Sequence, residues 1–398
     1  MKIGLYGGTF NPIHRGHISA ARAAAEQLGL EKLLLIPANL PPHKSIPRDT
    51  ATARQRLEMT ALATGELGLW AEATDLELRR SGKSYTRDTV QELKRQYPDD
   101  ELWLLMGSDM FLSLQTWHEP AVILSCVSVA AFSRLGAEET AVFEKQKAFL
   151  ERTYGARIEI IRNPDVIEVS STQIRADINA EETKRFLPEA VYGYILREHL
   201  YGAVCNLKGL SPEALRPVAL SYLKPKRMPH VLGTEQEAIR LARQYGADET
   251  LARVAALLHD CTKKLSHEEQ LALCAVYGIE LDAVERSTPK LLHSKTGAAL
   301  AREVFGVCDA VYEAIFWHTT GKPDMTTLEK VIYMADYIEP NRDFDGVEEL
   351  RRLTHTDLDR GLLLGLQETI REMQEKSLPV HRNTLEARNY LLEKGIKL

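Results

Sequence analysis

One stretch near the start of the chain constrains the rest. Residues 2–6 read KIGLY, a short apolar run of strand character, and Gly7-Gly8-Thr9-Phe10-Asn11-Pro12 breaks it with turn formers. His14-Arg15-Gly16-His17 follows, and residues 20–28 are rich in helix formers. The order predicts strand, glycine turn, helix. Such a junction aims backbone N–H groups and a helix N-terminus at an anion, usually a phosphate. Two histidines three residues apart at a helix start share one face and can both donate to phosphate oxygens. A glycine pair alone is weak evidence, and a lone His at a helix start is more often a cap or surface residue. The ordered string GGTFNPIHRGH is far more specific.

Over the first 200 residues, short apolar runs alternate with helical stretches. The runs are 2–6, 32–36, 75–78, 102–106, 127–132 and 158–161; the helices are 16–28, 51–64, 86–96, 138–152, 171–177 and 187–199. Alternation of this kind predicts an α/β domain with a doubly wound parallel sheet. Ligands of open sheets sit beyond the strand C-termini, so the loops there carry the candidates. Lys44, in PPHK, is either part of a proline-stiffened surface loop or a point charge for phosphate. Ser84 or Thr86 makes an N-cap, whose neighbouring N–H groups can also meet a ligand. Gly107-Ser108-Asp109 ends a strand and suits a ribose or metal contact, or simply a turn. Trp117 is core or a stacking platform. Arg134 is an exposed cation or a bidentate partner for carboxylate or phosphate. Ser170-Ser171-Thr172-Gln173-Ile174-Arg175 opens a second phosphate-type helix start, with an Arg one turn in.

Taken in order, GGTFNPIHRGH, PPHK, SYT, GSD, TWH, SR and SSTQIR resemble the bacterial nicotinate-mononucleotide adenylyltransferases, members of the HxGH nucleotidyltransferases. The resemblance covers roughly residues 1–203 and implies a Rossmann-like domain. It implies transfer of an adenylyl group from ATP, with Mg²⁺, to nicotinate mononucleotide, giving deamido-NAD and pyrophosphate. By resemblance, His14, His17, Ser171 and Arg175 hold the ATP phosphates. Gly8, Phe10, Gly107 and Asp109 line the nucleotide site. Lys44, Thr86, Trp117 and Arg134 contact the mononucleotide.

Near residue 200 the texture changes, and beyond a linker at 202–210 no strand run is evident. Helical patterns at 212–223, 233–245, 248–258, 268–277, 294–304, 310–319, 327–338, 358–376 and 382–394 predict an all-α domain over 210–398. His230 precedes a helix, His259-Asp260 ends an apolar one, and His293, His318 and Asp336 occur on others. Each alone reads as a helix-terminal or capping residue. Together, four imidazoles and two carboxylates suffice for two metals and suit Fe, Mn, Zn or Co better than Ca. The segments KRMPHVLGTEQEA, ALLHDCTK, LLHSKTGA, WHTTG and ADYIEPNR resemble the HD-domain symmetrical diadenosine-tetraphosphate hydrolases. That resemblance implies hydrolysis to two ADP at a pair of metal ions, iron or similar. It makes His230, His259, Asp260, His293, His318 and Asp336 the ligands, with Asp260 at the catalytic centre. Arg227, Lys263 and Arg342 are then phosphate contacts, and Cys261 is packing. The alternatives are another nucleotide substrate or a non-catalytic nucleotide sensor.

Composition narrows the partners. A net charge of −6 argues against a broad nucleic-acid-binding face. Five cysteines without CxxC spacing argue for a reducing compartment and against a disulfide framework. No apolar run approaches a membrane span, and no signal-peptide pattern is evident, so cytoplasm is the expectation. A homo-oligomer is left open.

Overall fold

Among the described residues, six strands form one sheet: β1 (Lys2–Gly8), β2 (Lys32–Pro37), β3 (Ala71–Ala73), β4 (Glu101–Met106), β5 (Ser128–Ser133) and β6 (Ile158–Arg162). The computed structural model describes residues 1–40, 50–133, 137–163 and 165–398. The strand order is β3-β2-β1-β4-β5-β6 and each neighbouring pair is parallel. The strands of a parallel sheet covered on both faces carry continuous apolar runs. Leu33, Leu34, Leu35 and Ile36 of β2 and Leu102–Met106 of β4 are accordingly all buried. The connecting helices are α1 (Arg15–Leu28), α2 (Ala53–Ala63), α3 (Thr86–Gln96), α4 (Ser108–Ser113), α5 (Pro120–Cys126), α6 (Ala137–Tyr154), α7 (Ser171–Ala176) and α8 (Glu189–Arg197).

Two expectations are corrected here. Residues 75–78 are not a strand; β3 is Ala71–Ala73, paired with Leu33–Leu35. The alternation of DLEL has another cause: the chain turns, with Arg79 N–H on the Asp75 carbonyl, and Glu77 points inward to Thr89. Helices α4 and α5 have no counterpart in the sequence reading, because six or seven residues are too few for a helical period to show.

The chain divides into two compact units, Met1–Val204 and Cys205–Leu398. The second is helical: α9 (Pro212–Leu220), α10 (Met228–Tyr245), α11 (Glu249–Leu258), α12 (His267–Val276), α13 (Ala283–Ser287), α14 (Pro289–Phe305), α15 (Asp309–Trp317), α16 (Thr327–Ile338), α17 (Val347–Thr356), α18 (Leu358–Glu375) and α19 (Arg382–Glu393). Helix α10 packs on α11 and α16, and α15 packs on α11, α14 and α16. These five helices surround the histidines. Helix α10 starts five residues before the predicted 233, so His230 is its third residue and does not precede it. Pro229 does not oppose this, since the first helical turn needs no N–H from it. Helices α13 and α17 are likewise additions. Among the described residues no helix is long and apolar enough to cross a membrane.

Candidate active sites

In the first unit the sheet order reverses at β1, which has β2 on one side and β4 on the other. A crevice opens at the C-terminal ends of strands at such a point. Here it is a cavity of about 590 Å³ walled by the glycine turn, the start of α1, Ser84-Tyr85-Thr86, Gly107-Ser108-Asp109, Trp117 and residues 169–172. Phe10 takes a positive φ of 47°, and its buried ring meets Tyr6 and His17 edge-on. A Cβ on Gly8 would stand 2.9 Å from that ring, so any larger residue there would have to push the Phe10 ring aside. A Cβ on Gly16 would stand 3.0 Å from His14 Nδ1 and 3.2 Å from the Ile167 carbonyl, which accounts for the glycine between the two histidines.

The His14 and His17 rings lie 3.8 Å apart between centroids. The His14 N–H donates to His17 Nδ1 at 3.2 Å, which places the His17 ring proton on Nε2. Burial pulls the His14 pKa down to about 4, so His14 is neutral at pH 7. Its Nδ1 is buried and has no hydrogen-bond partner. The second predicted phosphate turn is fastened to the first. Ser171 Oγ donates to the Pro12 carbonyl at 2.9 Å and Arg175 Nη1 to the Asn11 carbonyl at 2.7 Å. Tyr201 also donates, to Asn11 Oδ1 at 2.7 Å. Ser171 joins the cavity wall; Arg175 stands beside it, with Nη2 on Thr172 Oγ1 at 3.2 Å.

Gly8, Phe10, Thr86, Gly107, Asp109 and Trp117 all line the cavity. The capping expectation at 84–86 is corrected. Tyr85 is the N-cap of α3 and makes no side-chain cap, while Ser84 Oγ instead accepts from Asn39 N–H at 3.0 Å. Lys44 and Arg134 lie outside the described residues. Two further residues went unread in the sequence. Arg56 is 1% exposed and donates to the carbonyls of Thr9, Ala38 and Asn39 at 2.7, 2.7 and 3.0 Å, tying the turns after β1 and β2 together. Glu77 lines the cavity and accepts from Thr89 at 2.7 Å, and burial pushes its pKa up. Neither lies in a motif; an Arg in a helix reads as solvated until its surroundings are known.

In the second unit all six sequence candidates converge. His259 and His318 are the C-caps of α11 and α15 and use one device. Each ring reaches back three residues, placing Nδ1 2.6 Å from the Ala256 carbonyl and 2.7 Å from that of Ile315. Those are carbonyls of the last helical turn, which a His near a helix C-terminus can cap; that of Ile315 also receives the His318 N–H at 3.5 Å. Because a carbonyl only accepts, Nδ1 carries the proton and Nε2 an outward lone pair. His259 Nε2 lies 3.6 Å from Asp260 Oδ2 and 3.7 Å from Asp336 Oδ1. His230 Nε2 is 2.9 Å from Asp336 Oδ1, and His293 Nε2 is 3.2 Å from Asp260 Oδ1 and 3.1 Å from His318 Nε2.

The protonation states oppose simple ion pairing. Burial holds the pKa of His259 at about 4 and those of His293 and His318 below the usual value. Burial raises Asp260 and Asp336, but neighbouring His and Lys groups outweigh it and keep both well below the carboxylate range. Neutral imidazole lone pairs therefore face anionic oxygens. His259 Nε2 is buried with no hydrogen-bond partner. Three overlapping sets of these residues bring their ligand atoms within 4.8 Å of one another: His230-His259-Asp260, His259-His318-Asp336 and Asp260-His293-His318. Such a donor set fits a cation of the Fe, Mn, Zn or Co kind. Arg227 and Lys263 pair with Asp260, and Arg342 with Asp336 at 2.9 Å. Cys261 is buried with Sγ 3.8 Å from the Gly297 carbonyl, a packing role.

The cytidylyltransferase-like family matches residues 5–177 and the HD domain family residues 227–341. The chain is 36% identical over 200 residues to a probable nicotinate-nucleotide adenylyltransferase of Neisseria meningitidis serogroup C, covering 50% of this chain and 98% of the relative. It is 40% identical over 182 residues to the symmetrical bis(5'-nucleosyl)-tetraphosphatase of Bacillus subtilis, covering 44% of this chain and 97% of the relative. A crystal structure of a predicted HD superfamily hydrolase involved in NAD metabolism from Clostridium acetobutylicum is 42% identical, with TM-score 0.45 over 46% of this chain and 98% of that one.

Proposed function

The chain belongs to the cytidylyltransferase-like family in its first half and to the HD-domain family in its second, and on that premise we propose two catalytic centres, one in residues 1–203 and one in 210–398. The first transfers the adenylyl group of ATP to nicotinate mononucleotide. The second hydrolyses diadenosine tetraphosphate symmetrically.

In the first, a phosphate oxygen of the mononucleotide attacks the α-phosphorus of ATP. The bond from that phosphorus to the β-phosphate oxygen breaks, and pyrophosphate leaves; Mg²⁺ bound with ATP would offset the charge of its phosphates. No side-chain nucleophile is required; the protein supplies position and positive potential. His14 and His17 meet the phosphates as N–H donors at the start of α1. Ser171 and Arg175 stabilise the leaving pyrophosphate, Arg175 keeping Asn11 and exchanging Thr172 for phosphate. Gly8, Phe10, Gly107 and Asp109 receive the nucleotide, and Lys44, Thr86, Trp117 and Arg134 the mononucleotide. The fastening of α7 onto Asn11-Pro12 supports this reading most, because it brings both phosphate turns to one cavity.

In the second, His230, His259, Asp260, His293, His318 and Asp336 would hold two cations, iron by preference. When bound, the metal supplies Lewis acidity and lowers the pKa of water. Arg227, Lys263 and Arg342 turn from Asp260 and Asp336 to the tetraphosphate oxygens. One water is added across the central P–O–P bridge, giving two ADP. The convergence of unprotonated Nε2 atoms on carboxylates supports it most.

The test incubates the full chain with ATP, nicotinate mononucleotide and Mg²⁺, and separately with diadenosine tetraphosphate and divalent metal. Deamido-NAD and ADP are the expected products. No deamido-NAD overturns the first reading. Faster turnover of guanosine polyphosphates or cyclic nucleotides overturns the second substrate.

A further inference from the structure

The four imidazoles of the second centre are not oriented alike. His259 and His318 lean on main-chain carbonyls. His230 Nδ1 instead lies 3.1 Å from Glu339 Oε1, on a carboxylate side chain only 1% exposed. Glu339 follows α16 as its C-cap, three residues after Asp336. We infer that Glu339 is a positioning residue for metal binding: its carboxylate fixes His230 as the Nδ1–H tautomer and aims the Nε2 lone pair at the centre shared with Asp336. The inference rests on reading the cluster as a metal centre.

The geometry over-determines Glu339. Its Oε2 accepts from the Asn341 N–H at 2.6 Å and from Asn341 Nδ2 at 2.9 Å. Asn341 Nδ2 also donates to the Pro229 carbonyl at 2.9 Å, next to His230 in sequence. Both Glu339 oxygens are thus engaged, one on His230 and one on Asn341, which leaves it no role as a ligand. Helix α10 is cut to receive this arrangement. Gly233 lies three residues after His230 on the same face, and a Cβ there would stand 2.2 Å from Glu339 Oε2 and 2.8 Å from Asn341 Nδ2. Every other residue type would push the carboxylate off His230. The end of α16 therefore supplies Asp336 and, one turn on, the group that orients His230 from α10. An imidazole whose second nitrogen donates to a carboxylate is a stronger donor than one on a carbonyl. His230 is accordingly set apart from His259 and His318 in ligand strength.

The experiment uses the full chain stripped with a chelator and titrated with Co²⁺ alone, following its visible absorption. Glu339→Gln preserves size and removes the charge, and is expected to weaken Co²⁺ about tenfold and change the absorption bands; Glu339→Ala and Gly233→Ala should weaken it by roughly 10- to 100-fold. A readout independent of metal is the ¹⁵N shift pattern of His230 in the stripped protein. It should report a proton on Nδ1 in the parent and its loss from Nδ1 in Glu339→Ala, where Asp336 Oδ1, 2.9 Å from Nε2, is the remaining carboxylate acceptor. The unfolding midpoint of stripped Glu339→Gln should match the parent, which separates positioning from folding. Parental Co²⁺ affinity and bands in Glu339→Gln would overturn the inference even if Glu339→Ala fails to fold. A parent chain that binds no Co²⁺ overturns the metal-centre reading instead, and this inference with it.

Discussion

The two units build their candidate sites from opposite materials. The first uses backbone: a glycine turn, the N-terminus of α1 and the start of α7, gathered where the parallel sheet changes direction. Its polar side chains serve mainly to fasten loops, as Ser171, Arg175, Tyr201 and Arg56 all do. The second uses side chains: six ligand-type residues from five helices or their ends, converging on one buried point. The difference follows from fold class. A parallel sheet points strand ends and helix starts at one crevice, so main-chain groups are in place before any side chain is chosen. A helical bundle has its main-chain groups bonded internally, so a site there must be built from side chains on facing helices. The backbone-built site places a neutral histidine at a helix start, whereas the side-chain-built one turns imidazole nitrogens toward carboxylates.

The comparison breaks first at the ligands. Replacing both His259 and Asp260 by alanine should reduce metal binding and ADP release from diadenosine tetraphosphate to background, with deamido-NAD formation kept. Retained ADP release would mean that side chains do not carry the second site. In the first unit a single donor matters less. His17→Ala should lower kcat for deamido-NAD formation by roughly 10²- to 10³-fold, the usual effect of removing one preorganised donor. A change below threefold would leave the backbone as sufficient. Arg56→Ala tests whether the loops need their fastener. Three part-buried carbonyls lose a charged donor, and the first unit should be destabilised by roughly 4 kcal/mol, read by urea unfolding of the full chain.

The smallest effect concerns pH. His14 titrates at about 4 when folded, against 6.5 for the ordinary group. Between these values the unfolded chain binds a proton that the folded one refuses. The His14 contribution is therefore fully present above about 6.5 and lost as pH falls toward 4. The first unit should lose up to about 3 kcal/mol over that window, and His14→Gln should flatten the slope. An unchanged slope would mean that His14 is not buried as a neutral group.

Much of this was legible in the sequence where the signal is local. GGTFNPIHRGH names a strand, a turn and a helix within seventeen residues, and each takes its form from its own neighbours. The candidate ligand set of the second unit was legible by residue type, since His and Asp at the ends of apolar helices are chemically conspicuous. The strand expected at 75–78 failed because two-residue alternation also describes a turn whose acidic side chain points inward. The caps expected at 84–86 failed because Ser84 answers to Asn39, forty-five residues away.

Periodicity, turn chemistry and side-chain identity were therefore enough for the two fold classes, the phosphate-type turns and the inventory of candidate ligands. Tertiary structure alone decided which nitrogens face the second centre, that Arg56 clamps two turns, and that Glu339 stands behind His230 from 109 positions away. A hydrogen bond between distant residues leaves no mark on either one's neighbours. It exists only once packing has brought the two helices together and removed the water that would otherwise satisfy both groups.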